Sequence, residues 1–166
     1  MRGCRVFLDT MVICEAHRIN AWKALAGGCQ LLTVEKCLEE AATGDSSRPG
    51  YIEVDVEKIR KDFVIIFDPG RREQAELVLR LPGDIQLDPG ERHLLAAARR
   101  DSEPWILCGP DRAAFRALSA LGFMDRMVSL EELLGEIGIR NSNLKRNYRK
   151  QWVSDCRTQF LLEEDL

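Results

Sequence analysis

The stretch Val6 to Ala16, VFLDTMVICEA, decides the architecture: three apolar residues, one acid, then apolar positions at helical spacing. Cys4 to Leu8 (CRVFL) is a short apolar run of the kind that forms a strand buried on both faces. Beyond Asp9, the positions Val12, Ile13, Ala16, Ile19, Ala21, Leu25 and Ala26 predict one helix closed by Gly27-Gly28. The unit is strand, acid, helix.

The pattern repeats outward. Gln30 to Thr33 (QLLT) predicts a second strand, with Thr33 capping a helix that turns Val34, Cys37, Leu38, Ala41 and Ala42 inward and ends at Gly44. Asp45 to Tyr51 (DSSRPGY) reads as a loop, Val54 to Phe67 as a mixed segment containing VIIF, and Arg71 to Leu81 as helical. In Asp88-Pro89-Gly90-Glu91, Asp88 suits an N-cap, Pro89 the first helical position and Glu91 the third, ahead of Leu94, Leu95, Ala97 and Ala98 and an end near Arg100. Trp105 to Cys108 (WILC) is another apolar run. Gly109-Pro110 breaks it, and Asp111 to Leu121 reads as a helix stopped by Gly122. Met127-Val128 predicts a short strand, after which Ser129 and Glu132 form a capping box for SLEELLGEIG. Short apolar strands alternating with helices predict an α/β fold with a mostly parallel central sheet, and no internal repeat is evident.

The chain has 166 residues, 45% hydrophobic and 31% charged, which suits one compact domain and excludes general disorder. Lys plus Arg number 24 against 27 Asp plus Glu, a net charge of −3, so the chain is not a uniformly basic nucleic-acid coat. No stretch approaches the roughly 20 apolar residues of a membrane span, and MRGCRVFLDT lacks the apolar core of a signal peptide; a soluble, cytoplasmic protein is expected. Cys4, Cys14, Cys29, Cys37, Cys108 and Cys156 form no C-x-x-C pair, and His17 and His93 complete no zinc motif. Reduced thiols filling apolar space are expected. From Arg140 onward, basic residues alternate with Tyr148, Trp152 and Phe160 before Glu163, Glu164 and Asp165 reverse the sign. The division is a main unit over 1–139 and an added basic and aromatic helix over 140–166.

Acids recur where strands give way to helices. Asp9 follows the first strand, Glu39 or Glu40 lies on the helix after the second, Glu91 opens a later helix and Asp111 follows WILC. In parallel α/β sheets ligands collect at this carboxyl edge, and carboxylates placed together repel unless they share a hard divalent cation such as Mg²⁺. Each acid alone also suits a cap or the helix dipole.

The set resembles the PIN-domain nucleases. VFLDTMVICEA is similar to their opening strand-Asp-Thr motif, LTVEKCLEEAATG to the second, LDPGERHLLAAA to the Gly-Glu form of the third, and WILCGPDRAAFRALSALGF to the fourth. The resemblance spans about Cys4 to Gly138 and implies a three-layer α/β/α fold. It also implies that Asp9, Glu91 and Asp111, with a Glu from the second motif, ligate Mg²⁺ or Mn²⁺ and cut RNA phosphodiesters. Leu38-Glu39-Glu40-Ala41 matches the family's pattern best at Glu40, with Glu39 facing solvent. Gly109-Pro110-Asp111 lacks the hydroxyl residue common in the fourth motif.

A carboxylate-held cation lowers the pKa of a bound water and neutralises charge on phosphate oxygens, and one carboxylate can accept the water's proton. An acidic site acting on a polyanion also needs cations nearby, and Arg92, Arg112 and Arg116 are the expected RNA contacts, with Arg71-Arg72, Arg99-Arg100 and the tail as further candidates. For the tail, a helix that packs its aromatics against the domain and leaves its charges in water is the competing expectation. An aspartyl-phosphate phosphatase needs Asp-x-Asp, which Asp9-Thr10-Met11 does not supply. The main rival is a weak or inactive domain of the same fold that binds RNA or protein. The resemblance also brings a small antitoxin as a partner of toxin-type members, and homodimers.

Overall fold

The computed structural model describes residues 3–44, 52–140 and 143–164. Its centre is a five-stranded, all-parallel sheet in the order β3-β2-β1-β4-β5. The strands are β1 (Arg5–Leu8), β2 (Gln30–Val34), β3 (Phe63–Phe67), β4 (Ile106–Cys108) and β5 (Met127–Val128). The helices are α1 (Thr10–Arg18), α2 (Trp22–Gly28), α3 (Glu35–Ala42), α4 (Val56–Ile59), α5 (Arg71–Val78), α6 (Pro89–Arg100), α7 (Arg112–Ala120), α8 (Leu130–Glu136) and α9 (Lys150–Glu164). The predicted loop at Asp45 to Tyr51 lies outside the described residues.

Strand alternation explains the layers. On β1, Val6 and Leu8 enter an apolar cluster with α1, α2, α4 and α8, while Phe7 enters a second with α5, α6, α7 and α9. All three side chains are fully buried, and each contributes roughly 1.5–3 kcal/mol relative to an exposed position. Phe7 stacks on Phe67 at 5.5 Å and meets the edge of Trp105 at 5.8 Å. Helix α3 joins both layers, with Leu38 and Ala41 in the first cluster and Cys37 in the second. The expected α/β class, three layers and C-terminal helix are therefore present, and the sheet is wholly parallel.

Several local expectations are corrected. The single helix predicted from Asp9 to Gly28 is two, because Asn20 turns the chain at φ +57° and α2 starts in a new direction. An amphipathic period shared by both halves hides such a break, since Asn tolerates the left-handed region. Thr33 does not cap α3: it is fully buried within β2, and its hydroxyl donates to Leu8 O at 2.9 Å. Val34 belongs to the strand, and Ala42 is exposed rather than inward. The segment from Val54 to Phe67 resolves into α4, a 3-10 turn at Arg60–Asp62 and the edge strand β3, where Val64 and Ile65 are exposed. Helix α5 ends at Val78, short of Leu81.

The capping boxes of Asp88 with Glu91 and of Ser129 with Glu132 form as their spacing predicts. All six cysteines are free. No described helix is long and apolar enough to cross a membrane.

The C-terminal segment is anchored by a side chain that the sequence reading passes over. Glu15, 2% exposed, accepts both Arg18 Nε (2.7 Å) and Nη2 (2.6 Å), and also the Lys145 backbone N–H at 3.1 Å. Arg18 Nη2 donates onward to Asn143 O at 2.5 Å, and Tyr148 Oη donates to Met11 O at 3.2 Å. Arg18 and the Lys145 amide hold the Glu15 carboxyl below its ordinary value against the opposing effect of burial, the largest single influence on it. Glu15→Ala leaves Arg18 half-compensated and destabilises the fold by about 3 kcal/mol, read as a lower urea midpoint with protease sensitivity rising first near residues 143–148.

Candidate active site

Strand order reverses direction at β1: β2 and β3 lie on one side and β4 and β5 on the other. The carboxyl ends of β1 and β4 flank that switch point, where ligands of open α/β sheets bind. Asp9 leaves β1 there, its N–H donating to Cys108 O at 3.2 Å, and Asp111 follows β4 three residues after Cys108. Both also cap helices. Asp9 Oδ2 accepts Met11 N at 3.1 Å, and Asp111 Oδ1 accepts Ala113 N at 2.5 Å and Ala114 N at 3.3 Å. Capping fixes each carboxyl at a strand end and leaves the rest of its oxygen capacity for other partners.

Helices α3 and α6 bring the two glutamates. Glu40 Oε2 accepts the Thr10 hydroxyl at 2.9 Å, and that hydroxyl also lies 3.4 Å from Cys37 O. Glu39 instead points outward to Lys36 Nζ at 2.9 Å, so the geometry turns Glu40 toward Asp9. Glu91 is 5% exposed, closes the capping box with Asp88 and lies within hydrogen-bonding reach of the Asp111 carboxyl.

Burial and mutual repulsion act on these groups together. Asp9 is pushed up to about 7, mainly by burial, with the charges of Asp88 and Glu40 adding to it and the Met11 N–H opposing. Glu91 is pushed up to about 9 by burial, by its contact with Asp111 and by Asp88. Asp88, read from sequence as a cap, is thus also a fifth acid of the cluster.

Gly90 has a reason to be glycine. A Cβ there would stand 2.4 Å from Glu40 Oε2, the far end of a side chain that Thr10 holds in place. Gly90→Ala is expected to displace the Glu40 carboxylate while leaving the helices in position. Any activity that depends on Glu40 should fall by about tenfold or more, with a thermal midpoint within a few degrees of the wild type.

The expected RNA contacts differ in state. Arg116 pairs with Asp84 at 2.7 Å. Arg99 lies 3.4 Å from Glu76, which also pairs with Arg72, and Arg100 pairs with Glu73, so these arginines tie α5 to α6. Arg112 donates to Gln159 Oε1 at 2.6 Å and lies over Phe160 at 5.4 Å, with no carboxylate partner among the described residues. Arg92, beside Glu91, buries its Nε without a hydrogen-bond partner.

No family model, curated protein or solved structure matches this chain.

Among the described residues, no three carboxylate, histidine or cysteine side chains form a group already able to hold a metal ion. The donor chemistry nonetheless fits a hard divalent cation: the groups are all oxygen ligands, two are buried, and beyond the effect of burial Asp9 feels the charges of Asp88 and Glu40 and Glu91 those of Asp111 and Asp88. Thr10, Asp88 and Gly90 are the site residues that sequence reasoning missed. Thr10 and Gly90 sit inside the quoted motifs, but their roles depend on the approach of α3 to α1 and α6.

Proposed function

We propose that this protein is a metal-dependent endoribonuclease of the PIN-like kind, with Asp9, Glu40, Glu91 and Asp111 holding Mg²⁺ or Mn²⁺. The observation that carries the reading is the pair of buried carboxyls, Asp9 and Glu91, at the sheet's switch point, raised chiefly by burial and further by the neighbouring acids Asp88, Glu40 and Asp111. When bound, such a cation supplies a water of lowered pKa and positive charge for the phosphate oxygens. Thr10 keeps Glu40 turned into the cluster. One carboxylate of the set would be placed to accept the proton of that water. Arg92, next to Glu91 in the chain, is half-buried and enters this proposal only as a cation near the site. RNA, a small antitoxin as protein partner and homodimer formation enter this proposal through the family resemblance, and a cytoplasmic setting through the apolar and cysteine pattern of the sequence.

A second reading has its own support. Asp111 is committed to capping α7, and no described trio of ligands is closed, as in a domain that binds RNA or protein without cutting. The purified chain incubated with single-stranded RNA distinguishes the two. Internal cleavage in Mg²⁺ or Mn²⁺ that stops on adding EDTA supports the nuclease, whereas intact RNA under both conditions favours the binding module.

A further inference from the structure

A cleft of about 360 Å³ lies between the start of α7 and the C-terminal segment, lined by Arg112, Arg146, Asn147, Trp152, Asp155 and Cys156. Arg112 directly follows Asp111, so the cleft adjoins the carboxylate cluster. The Cys156 thiol, in its wall, feels both the Asp111 carboxylate and the Arg112 guanidinium, although burial dominates its raised value. We propose that this cleft is a nucleotide subsite for single-stranded RNA next to the cleaved bond, with Arg112 and Arg146 taking a phosphate and Trp152 a base. The proposal rests on the nuclease reading above.

Three observations converge. First, the charges here are unspent: Arg72, Arg99, Arg100 and Arg116 all meet carboxylates, whereas Arg112 and Arg146 meet none among the described residues. Second, Arg112 is held in place without being neutralised, because Gln159 accepts one N–H and Phe160 supports the guanidinium from below. Third, a half-buried indole beside two guanidinium groups alternates as base and phosphate do along a single strand. Asp155, bound by Gln151 Nε2 at 2.7 Å, lowers the cleft's net charge and offers an acceptor to a base N–H, which a bare anion site would not need.

The test is fluorescence anisotropy of a labelled single-stranded RNA on the full chain in Mg²⁺, in an Asp9→Asn background so that the RNA survives. Arg146→Glu is expected to weaken binding about tenfold. Lys23→Glu, the same charge change on the exposed face of α2, is expected to leave it within about twofold. Trp152→Phe, which preserves an aromatic wall, should remove the part of the tryptophan quenching that RNA causes in the parent. Equal affinity in Arg146→Glu, equal loss in Lys23→Glu, or displacement of RNA by polyglutamate as readily as by unlabelled RNA would overturn the subsite. Failure of the unmutated chain to cleave RNA, with the Arg146 effect intact, would instead overturn the nuclease reading and leave an RNA-binding cleft.

Discussion

Asp9→Asn is expected to abolish cation-dependent RNA cleavage, by at least about a hundredfold in kcat/KM, while raising the thermal midpoint of the cation-free protein. The two effects have one cause. Asp9 is 8% exposed, and burial with the charges of Asp88 and Glu40 disfavours its ionised form. Asparagine keeps the shape and can still accept the Met11 N–H that caps α1, but it carries no charge to desolvate. A residue retained for packing or capping would show the opposite pattern, with stability falling and activity following it. Cleavage by Asp9→Asn at the wild-type rate would end the carboxylate-site assignment.

The second large effect is on pH dependence. Asp9 rises from 3.8 to about 7 and Glu91 from 4.5 to about 9, so between roughly pH 4 and 9 the native state holds more protons at these positions than the unfolded chain. Stability contributed by the protonated groups is full below their unfolded values and is lost as pH rises through 7 and then 9. For Asp9 alone the loss is on the order of 4 kcal/mol at its upper limit. Glu15, Glu35 and Glu76 are lowered by their cationic partners and act in the other sense, but at acid pH, below the window of interest. His17, lowered by burial, opposes the trend modestly near its ordinary value. The cation-free thermal midpoint should therefore fall from pH 5 to pH 9, and Mn²⁺ should restore it most at the alkaline end. A midpoint that is flat with pH, or a Mn²⁺ effect largest at pH 5, would contradict the clustered geometry.

Sequence pattern captured what depends on one element at a time. The apolar run before Asp9, the Asp88 and Ser129 capping boxes and the Gly122 stop are local chemistry, and the structure carries them. What it left hidden depends on elements meeting. The break at Asn20 is invisible because both halves share one apolar period. Thr33 looks like a cap by type, yet its hydroxyl serves the neighbouring strand. Thr10 and Gly90 become meaningful only when α3 is seen pressed between α1 and α6. Glu15 reads as one more helix charge until the last segment of the chain folds back onto it.

The added C-terminal segment is not separable from the rest. Leu144 and Tyr148 enter one apolar cluster, and Val153, Cys156 and Phe160 enter the other. The first strand made is the middle of the sheet, and its partner β4 begins about a hundred residues later, as the pairing of Val6 with Ile106 shows. During synthesis the set of four acids therefore cannot be complete before Asp111 has left the ribosome, and the layer around Phe7 gains Val153, Cys156 and Phe160 only once α9 has followed. Asp9 and Asp111 thus come together through a pairing that spans about a hundred residues of chain.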